Sequence, residues 1–581
     1  MEKTELLHIN TIRDILSFNA ARLPLKDALL FKNSEGNVDS ITYRKLMNNV
    51  NYIGSALLKR GVGSKNIAVI GKNSCEWCMA YFAVCCGAGT VVPIDRETLK
   101  ENLADIFRFV SVKAVFADRA TLTKLDSVKK SLPKKLLVIS LEKESVFGEP
   151  TIYNLIDEGR ELVENGFEDY LKADVAPERT AALLFTSGTT AAAKVVMLSD
   201  SNICSDIMSV AKRVDISDND STLCVLPLHH AYQTIVFLVL LYVGGTVSFC
   251  EGLRHVSENL SFYKPTMFVT VPLMLEKMHK KIFQKLSQQS GIKRVFSTGR
   301  MSFLMEHFEL SDLRKYVYSL IHEAFGGNLK MIVVGAAAMN PDIAKDFESF
   351  GIPVIIGYGL TECSPIAICN SSKSHLPDSI GKPLDGAMVI LDNIDESGCG
   401  EICVKGPMVM QGYYKNRKAT AAVLENGWLR TGDIGYCDDE GNYHITGRSK
   451  NVIVTKGGKN VYPEELEYYL NNDPIVQESM IFGDSDGEEE HVAAQVIPDE
   501  DAIREKLNKE KLSKDDIQKA ISDAVRRINK ILPSYKSIRH VFIREDEFEK
   551  TSTHKIRRSR NSKTDDEAES EKQPEAGSSQ E

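Results

Sequence analysis

The chain has 581 residues, 43% hydrophobic and 26% charged, with a formal net charge of −9. That is the composition of a soluble globular protein too long for one ordinary domain. Its acidic balance excludes a general nucleic-acid binder.

The N-terminus lacks a basic start before an apolar run, so no secretory signal is expected. Twelve scattered cysteines then imply reduced thiols in a cytoplasmic protein. In chain order, Tyr43–Arg60 reads as an amphipathic helix, Asn66–Ile70 as a strand, Cys75–Gly87 as a helix and Thr90–Pro93 as a strand. On one helix Cys75 and Cys86 would stand about 16 Å apart, so with Cys78 and Cys85 they read as core packing. The βα alternation continues through Lys113–Ala117, Leu136–Ile139, Ala181–Phe185, Thr246–Phe249, Met267–Val271, Met331–Val334 and Pro353–Ile356. It predicts parallel sheets covered by helices.

The most apolar segment, Ile235–Phe249, is too short to span a bilayer and is broken at Gly244-Gly245. It reads as a buried helix followed by a strand, with peripheral membrane contact left open. Lys280–Gly327 reads as a long basic amphipathic helical stretch. From Gly386 to Arg448 short strands alternate with glycine turns, as in a small β-barrel-like subdomain. Beyond it lie Val452–Thr455, a helix at Glu464–Asn471, strands near Met480–Phe482 and Val492–Val496, and a helix at Lys514–Ile531. The expected organisation is α/β. An N-terminal domain of parallel sheets flanked by helices (1–448) precedes a small mobile α+β domain (449–560). The tail, 561–581, holds seven acidic residues against Lys563 and Lys572 and is expected to be disordered.

The strand Ala181–Phe185 leads into a turn where Thr186, Ser187, Thr189 and Thr190 surround Gly188, followed by Lys194. Hydroxyls, close backbone N–H groups and a mobile cation are what a polyphosphate needs. The Gly-Lys-Ser/Thr of a Walker A loop is absent, since Ala193-Lys194-Val195 stands there.

Thr186-Ser187-Gly188-Thr189-Thr190 with Lys194 resembles the phosphate loop of the adenylate-forming superfamily, and further motifs follow in that family's order from about residue 10 to 558. The resemblance implies formation of an acyl-AMP from ATP and a carboxylate, then transfer of the acyl group to a thiol. Leu226-Pro227-Leu228-His229-His230 resembles the wall of the carboxylate pocket, with His230 closing over the acyl group. Gly335, Ala336 and Ala337 stand where the family places adenine. Gly357-Tyr358-Gly359-Leu360-Thr361-Glu362 resembles its adenylate signature. Tyr358 then offers a π face, Thr361 an α-phosphate contact and Glu362 an oxygen for Mg²⁺. Asp433 and Arg448 stand at the ribose positions and Lys450 at the interdomain hinge. Lys456, Gly457 and Gly458 stand at the CoA passage, and Lys555 at the catalytic lysine. Ala191, Ala193 and Val195 depart from the family's Gly, Pro and Gly. Asp200 departs from a common histidine, and His554 from a glycine.

An enlargement like Lys280–Gly327 is more typical of the long-chain fatty acyl-CoA synthetases. Between Leu226 and Gly244 there is no acidic residue to pair a substrate ammonium. A medium- or long-chain fatty acid is therefore the expected substrate, with ATP, Mg²⁺ and CoA. Acyl carrier protein is the alternative acceptor. A catalytically weak nucleotide-binding regulatory protein is the more distant alternative.

Overall fold

The computed structural model describes residues 6–33, 35–186, 194–287, 311–455, 459–485, 490–550 and 556–558. Two compact units are present. One comprises Met1–Ile390, Cys403–Thr431 and Cys437–His444; the other comprises Leu391–Ile402, Gly432–Tyr436 and Ile445–Glu581.

The first unit contains two large mixed sheets. A nine-stranded sheet runs in the order Lys382–Pro383, Ile368–Cys369, Val354–Tyr358, Met331–Val334, Met267–Thr270, Ser221–Cys224, Thr246–Phe249, Asp27–Lys32, Val38–Thr42. Its six central strands are parallel, and the outer strands are antiparallel. A seven-stranded sheet runs Gly412–Tyr413, Val195–Ser199, Thr180–Phe185, Gly89–Pro93, Lys65–Ile70, Val112–Ala117, Leu137–Ser140. The last five are parallel, and the first two add an antiparallel edge. The expected parallel sheets are therefore present, with antiparallel margins that short, isolated strands conceal in the sequence.

The segment around Gly244-Gly245 folds as its pattern predicts. Helix Ala231–Val243 is buried from Gln233 onward, and Gly244 ends it at φ +90°. The N–H groups of Gly244 and Gly245 return to the Leu241 and Leu240 carbonyls at 3.1 and 2.8 Å, closing the last turn. Strand Thr246–Phe249 follows. Helix Cys75–Ala83 passes into a π-helical turn at Val84–Ala88, where Gly87 breaks the helical backbone, so the expected continuous helix ends earlier. Among the described residues no helix is long and apolar enough to cross a membrane.

Asp200 opens helix Asp200–Arg213 and is fully buried. Its carboxylate accepts the Ile12 N–H at 2.9 Å and pairs with the Arg179 guanidinium at 3.2 Å. Burial pushes its pKa up to about 6, opposed by Arg179 and the Ile12 N–H. The residue that departs from the family's histidine is thus a structural tie between the N-terminal helix, Ile12–Arg22, and Arg179. Arg179→Leu would strand that carboxylate, and a loss of about 3–5 kcal/mol in denaturant unfolding is expected. Adding Asp200→Asn should recover most of the loss.

In the second unit, strands Val476–Ser485, Glu490–Pro498 and His540–Ile543 form one sheet. Helices Pro463–Asn471 and Lys514–Asn529 bury Leu466, Leu470, Ile521, Ala524 and Val525 in the core that also holds Ile481, Val492 and Val496.

Candidate active site

Strands Thr180–Phe185 and Val195–Ser199 form an antiparallel pair in register at Phe185 and Val195. The Thr186 N–H and hydroxyl both donate to the Lys194 carbonyl, at 3.0 and 3.2 Å, and so close the base of the intervening loop. Ser187, Gly188, Thr189 and Thr190 lie outside the described residues, as do Ala191 and Ala193. Val195 is a buried strand residue, which accounts for a β-branched side chain where the family has glycine.

The Lys194 ammonium lies 4.7 Å from the centroid of the Tyr413 ring. The Tyr413 hydroxyl donates to Glu362 Oε1 at 2.8 Å, and the Met410 N–H donates to the Glu362 carbonyl at 2.9 Å. Burial, and the Glu362 carboxylate beside it, raise the Tyr413 pKa, so the hydroxyl stays a donor. Glu362 itself sits in the short turn Thr361–Cys363 that follows strand Val354–Tyr358. Three sequence-distant residues therefore form one contact chain, Lys194–Tyr413–Glu362. Tyr413 was missed in the sequence. Its only signal is an aromatic after a glycine, and its partner is 51 residues away.

The strand ends carrying Gly335 and Gly357 converge. A Cβ on Gly335 would meet the Tyr232 ring at 3.1 Å and the Gly357 carbonyl at 3.2 Å. Space is therefore tight at Gly335, whereas a Cβ on Gly357 would meet only ordinary contacts at 3.9 Å. Ala336 takes φ +71°, a left-handed conformation that costs an alanine about 1 kcal/mol and is characteristic of functional turns. Ala337 is exposed next to it, and Tyr358 is buried at the end of its strand.

Around His230, Asn73 pins both sides of the Pro227 turn. Its amide donates to the Leu226 carbonyl at 2.8 Å, and its oxygen accepts the Leu228 N–H at 2.9 Å. His230 precedes the Ala231–Val243 helix, and its ring lies 4.1 Å from that of His229. His229 Nε2 stands 3.7 Å from Asp95, an acid contributed from outside the Leu226–Gly244 window. Burial first, then His230, lowers the His229 pKa to about 3, opposed by Asp95. A histidine whose folded pKa lies below its unfolded value of 6.5 lets the unfolded chain bind the proton first. Stability is then fully present above pH 6.5 and is lost as pH falls toward 3. The fall in unfolding free energy between pH 7.5 and 5.0 should be larger in the native chain than in His229→Gln.

In the second unit, Arg448 Nε contacts Asp433 Oδ1 at 2.9 Å. Asp433 is 4% exposed, and Gly432, at φ +72°, donates its N–H to Glu401 at 3.0 Å. The two positions expected to hold ribose are thus in direct contact. Lys450 is exposed in the turn Ser449–Asn451, whose Asn451 amide donates to Glu464 at 2.6 Å. Lys456, Gly457 and Gly458 lie outside the described residues; Thr455 and Lys459 close the flanks through a 3.0 Å backbone bond. Lys555 and His554 also lie outside them, between Lys550 and Ile556, which pair across an isolated antiparallel bridge.

A family model for AMP-binding enzymes matches residues 16–414, and one for the AMP-binding enzyme C-terminal domain matches 450–566. The chain belongs to the AMP-binding enzyme family. This AMP-binding enzyme is 28% identical over 559 residues to long-chain-fatty-acid–CoA ligase 6 of Mus musculus, covering 89% of this chain and 79% of the relative. It is 28% identical to long-chain-fatty-acid–CoA ligase 1 of Homo sapiens, covering 84% and 75%. Among solved structures it resembles o-succinylbenzoate coenzyme A synthetase of Bacillus subtilis in complex with ATP and magnesium ion. The TM-score is 0.71 and the identity 21%, covering 95% of this chain and 99% of that one. The Mycobacterium tuberculosis fatty acyl CoA synthetase matches with a TM-score of 0.64 and 20% identity, covering 95% and 97%. At these identities the structural likenesses establish the AMP-binding fold.

Proposed function

We propose that this AMP-binding enzyme joins a medium- or long-chain fatty acid to CoA through an acyl-AMP intermediate, consuming ATP. The observation that carries the substrate class is the alignment with long-chain fatty-acid–CoA ligases along most of the chain. Asp95 does not alter it, since its side chain is 12% exposed and faces His229, so it is not offered to a substrate ammonium.

In the first step a carboxylate oxygen attacks the ATP α-phosphorus, the bond to the β-phosphate oxygen breaks, and pyrophosphate leaves. Lys194 and the hydroxyls of Thr186, Ser187, Thr189 and Thr190, with Gly188 admitting close approach, neutralise and orient the phosphates. Thr361 contacts the α-phosphate, and Lys555 bridges the carboxylate and phosphate oxygens. Gly335, Ala336, Ala337, Gly357, Tyr358 and Gly359 receive adenine, while Asp433 and Arg448 hold the ribose.

Glu362 fits a cation site. A carboxylate oriented through one oxygen keeps the lone pairs of the other, and one carboxylate beside phosphates suits Mg²⁺. When bound, Mg²⁺ supplies neutralisation of the triphosphate charge.

In the second step His230 yields the acyl face, and the CoA thiol, reaching past Lys456, Gly457 and Gly458, attacks the acyl carbonyl and expels AMP. We assign Lys450 as the hinge that allows the segment after it to serve both steps, and 449–560 as the mobile domain.

The test is product analysis with ATP, Mg²⁺, CoA and either octanoate or palmitate. Equimolar acyl-CoA and AMP are expected. Acylation of a phosphopantetheinylated carrier protein without acyl-CoA would replace the acceptor. ATP binding without either product would favour the regulatory reading, which Ala191, Ala193 and His554 motivate.

A further inference from the structure

We propose that Tyr413 is a positioning residue that couples the phosphate-loop lysine to the cation-holding carboxylate, through its ring and its hydroxyl respectively. The proposal rests on the reading of Lys194 and Glu362 given above. The geometry behind it lies within one unit. The aromatic face sits 4.7 Å from the Lys194 ammonium, and the hydroxyl donates to Glu362 at 2.8 Å. One side chain therefore restrains both a cation that meets triphosphate and the carboxylate that shares a metal ion with it.

The backbone beneath Tyr413 is fixed on every side, so the ring has a defined position to impose. The Gln411 and Tyr414 N–H groups donate to the Met197 and Val195 carbonyls at 3.0 and 2.7 Å, which seats Gly412–Tyr413 beside the strand Val195–Ser199 that begins one residue after Lys194. The Tyr413 N–H donates to Thr420 Oγ1 at 2.9 Å. Upstream, the Ser364 hydroxyl donates to the Met408 carbonyl at 2.7 Å, and the Asn202 amide donates to the Pro407 and Val409 carbonyls at 2.7 and 3.0 Å. Residues 407–414 form a strap that joins the hairpin of the phosphate loop to the Glu362 turn. Gly412 gives this strap its path: it takes φ +133°, and a Cβ there would meet Thr420 Cγ2 at 2.9 Å.

The two contacts predict separable effects. Tyr413→Phe keeps the ring under Lys194 and removes only the donor to Glu362. ATP affinity measured by calorimetry in the presence of Mg²⁺ should fall about tenfold, the weight of one hydrogen bond to a charged group, while affinity in EDTA should stay unchanged. Tyr413→Leu removes the ring as well and should weaken ATP binding in both conditions. Combining Tyr413→Phe with Glu362→Gln should add almost nothing to Glu362→Gln alone.

A purely structural role would lower both affinities of Tyr413→Phe together with its unfolding temperature, and that pattern would overturn the proposal. Unchanged Mg²⁺-dependent affinity in Tyr413→Phe would overturn the coupling alone, whatever acid the enzyme activates. Absence of Mg²⁺-dependent ATP binding in the native chain would overturn the coupling together with the reading of Glu362 beneath it.

Discussion

Asp433→Ala is expected to lower kcat/KM for ATP by two to three orders of magnitude, about 3–4 kcal/mol of transition-state binding. Asp433 is buried, and Arg448 Nε fixes one of its oxygens at 2.9 Å. On the proposed ribose role, a carboxylate held this way would accept two hydroxyls without first losing side-chain freedom. Removing it deletes both acceptors and leaves the Arg448 charge without its partner. Asp433→Asn keeps the shape and should fall between the two. Steady-state kinetics at saturating acid, varying ATP, measure the effect. A change under threefold would contradict the ribose role.

Gly359→Ala is expected to remove both nucleotide binding and a large part of the stability of its unit. A Cβ at this position would lie 1.9 Å from the Pro365 carbonyl oxygen and 3.0 Å from Cys363 Sγ. The obstacle is backbone, so the turn itself must open. That turn is closed by the Cys363 N–H to the Leu360 carbonyl at 2.9 Å and the Ala367 N–H to the Tyr358 carbonyl at 2.9 Å. It is also tied to buried Asp206 through the Ile366 N–H at 3.2 Å. Opening it moves Thr361 and Glu362 away from Tyr413. A loss of about 3 kcal/mol in denaturant unfolding is expected, with ATP affinity reduced beyond detection. Gly335→Ala is the control, because its nearest atoms, the Tyr232 ring at 3.1 Å and the Gly357 carbonyl at 3.2 Å, need to give by only a few tenths of an ångström, and it should cost less. Native-like stability in Gly359→Ala would show that the turn has room the backbone distances deny.

What the sequence makes legible follows from how local the physics is. The helix ending at Gly244 and the strand after it are read correctly because burial, the left-handed glycine and the apolar run are all neighbours in the chain. The parallel strands are legible for the same reason. The Val195–Ser199 strand is hidden because its first residue adjoins the phosphate motif, and Gly412–Tyr413 is only two residues long. Asp95 escapes a search for acids near His230 because it arrives from another strand end, across the fold. Tyr413 escapes because neither of its partners is near in sequence. Asp200 and Val195 read as departures from a catalytic pattern, whereas one is an internal ion pair and the other a buried strand position.

Adenylation of a fatty acid by this chain has a direct readout in the pyrophosphate it releases. Pyrophosphate release from ATP and Mg²⁺ should be measured across acetate, octanoate, palmitate, benzoate and the amino acids, for the native chain and Lys555→Ala. Release that depends on octanoate or palmitate, and that Lys555→Ala abolishes, is the predicted result. Nucleotide binding with no acid-dependent release, or release driven by an amino acid, would contradict it.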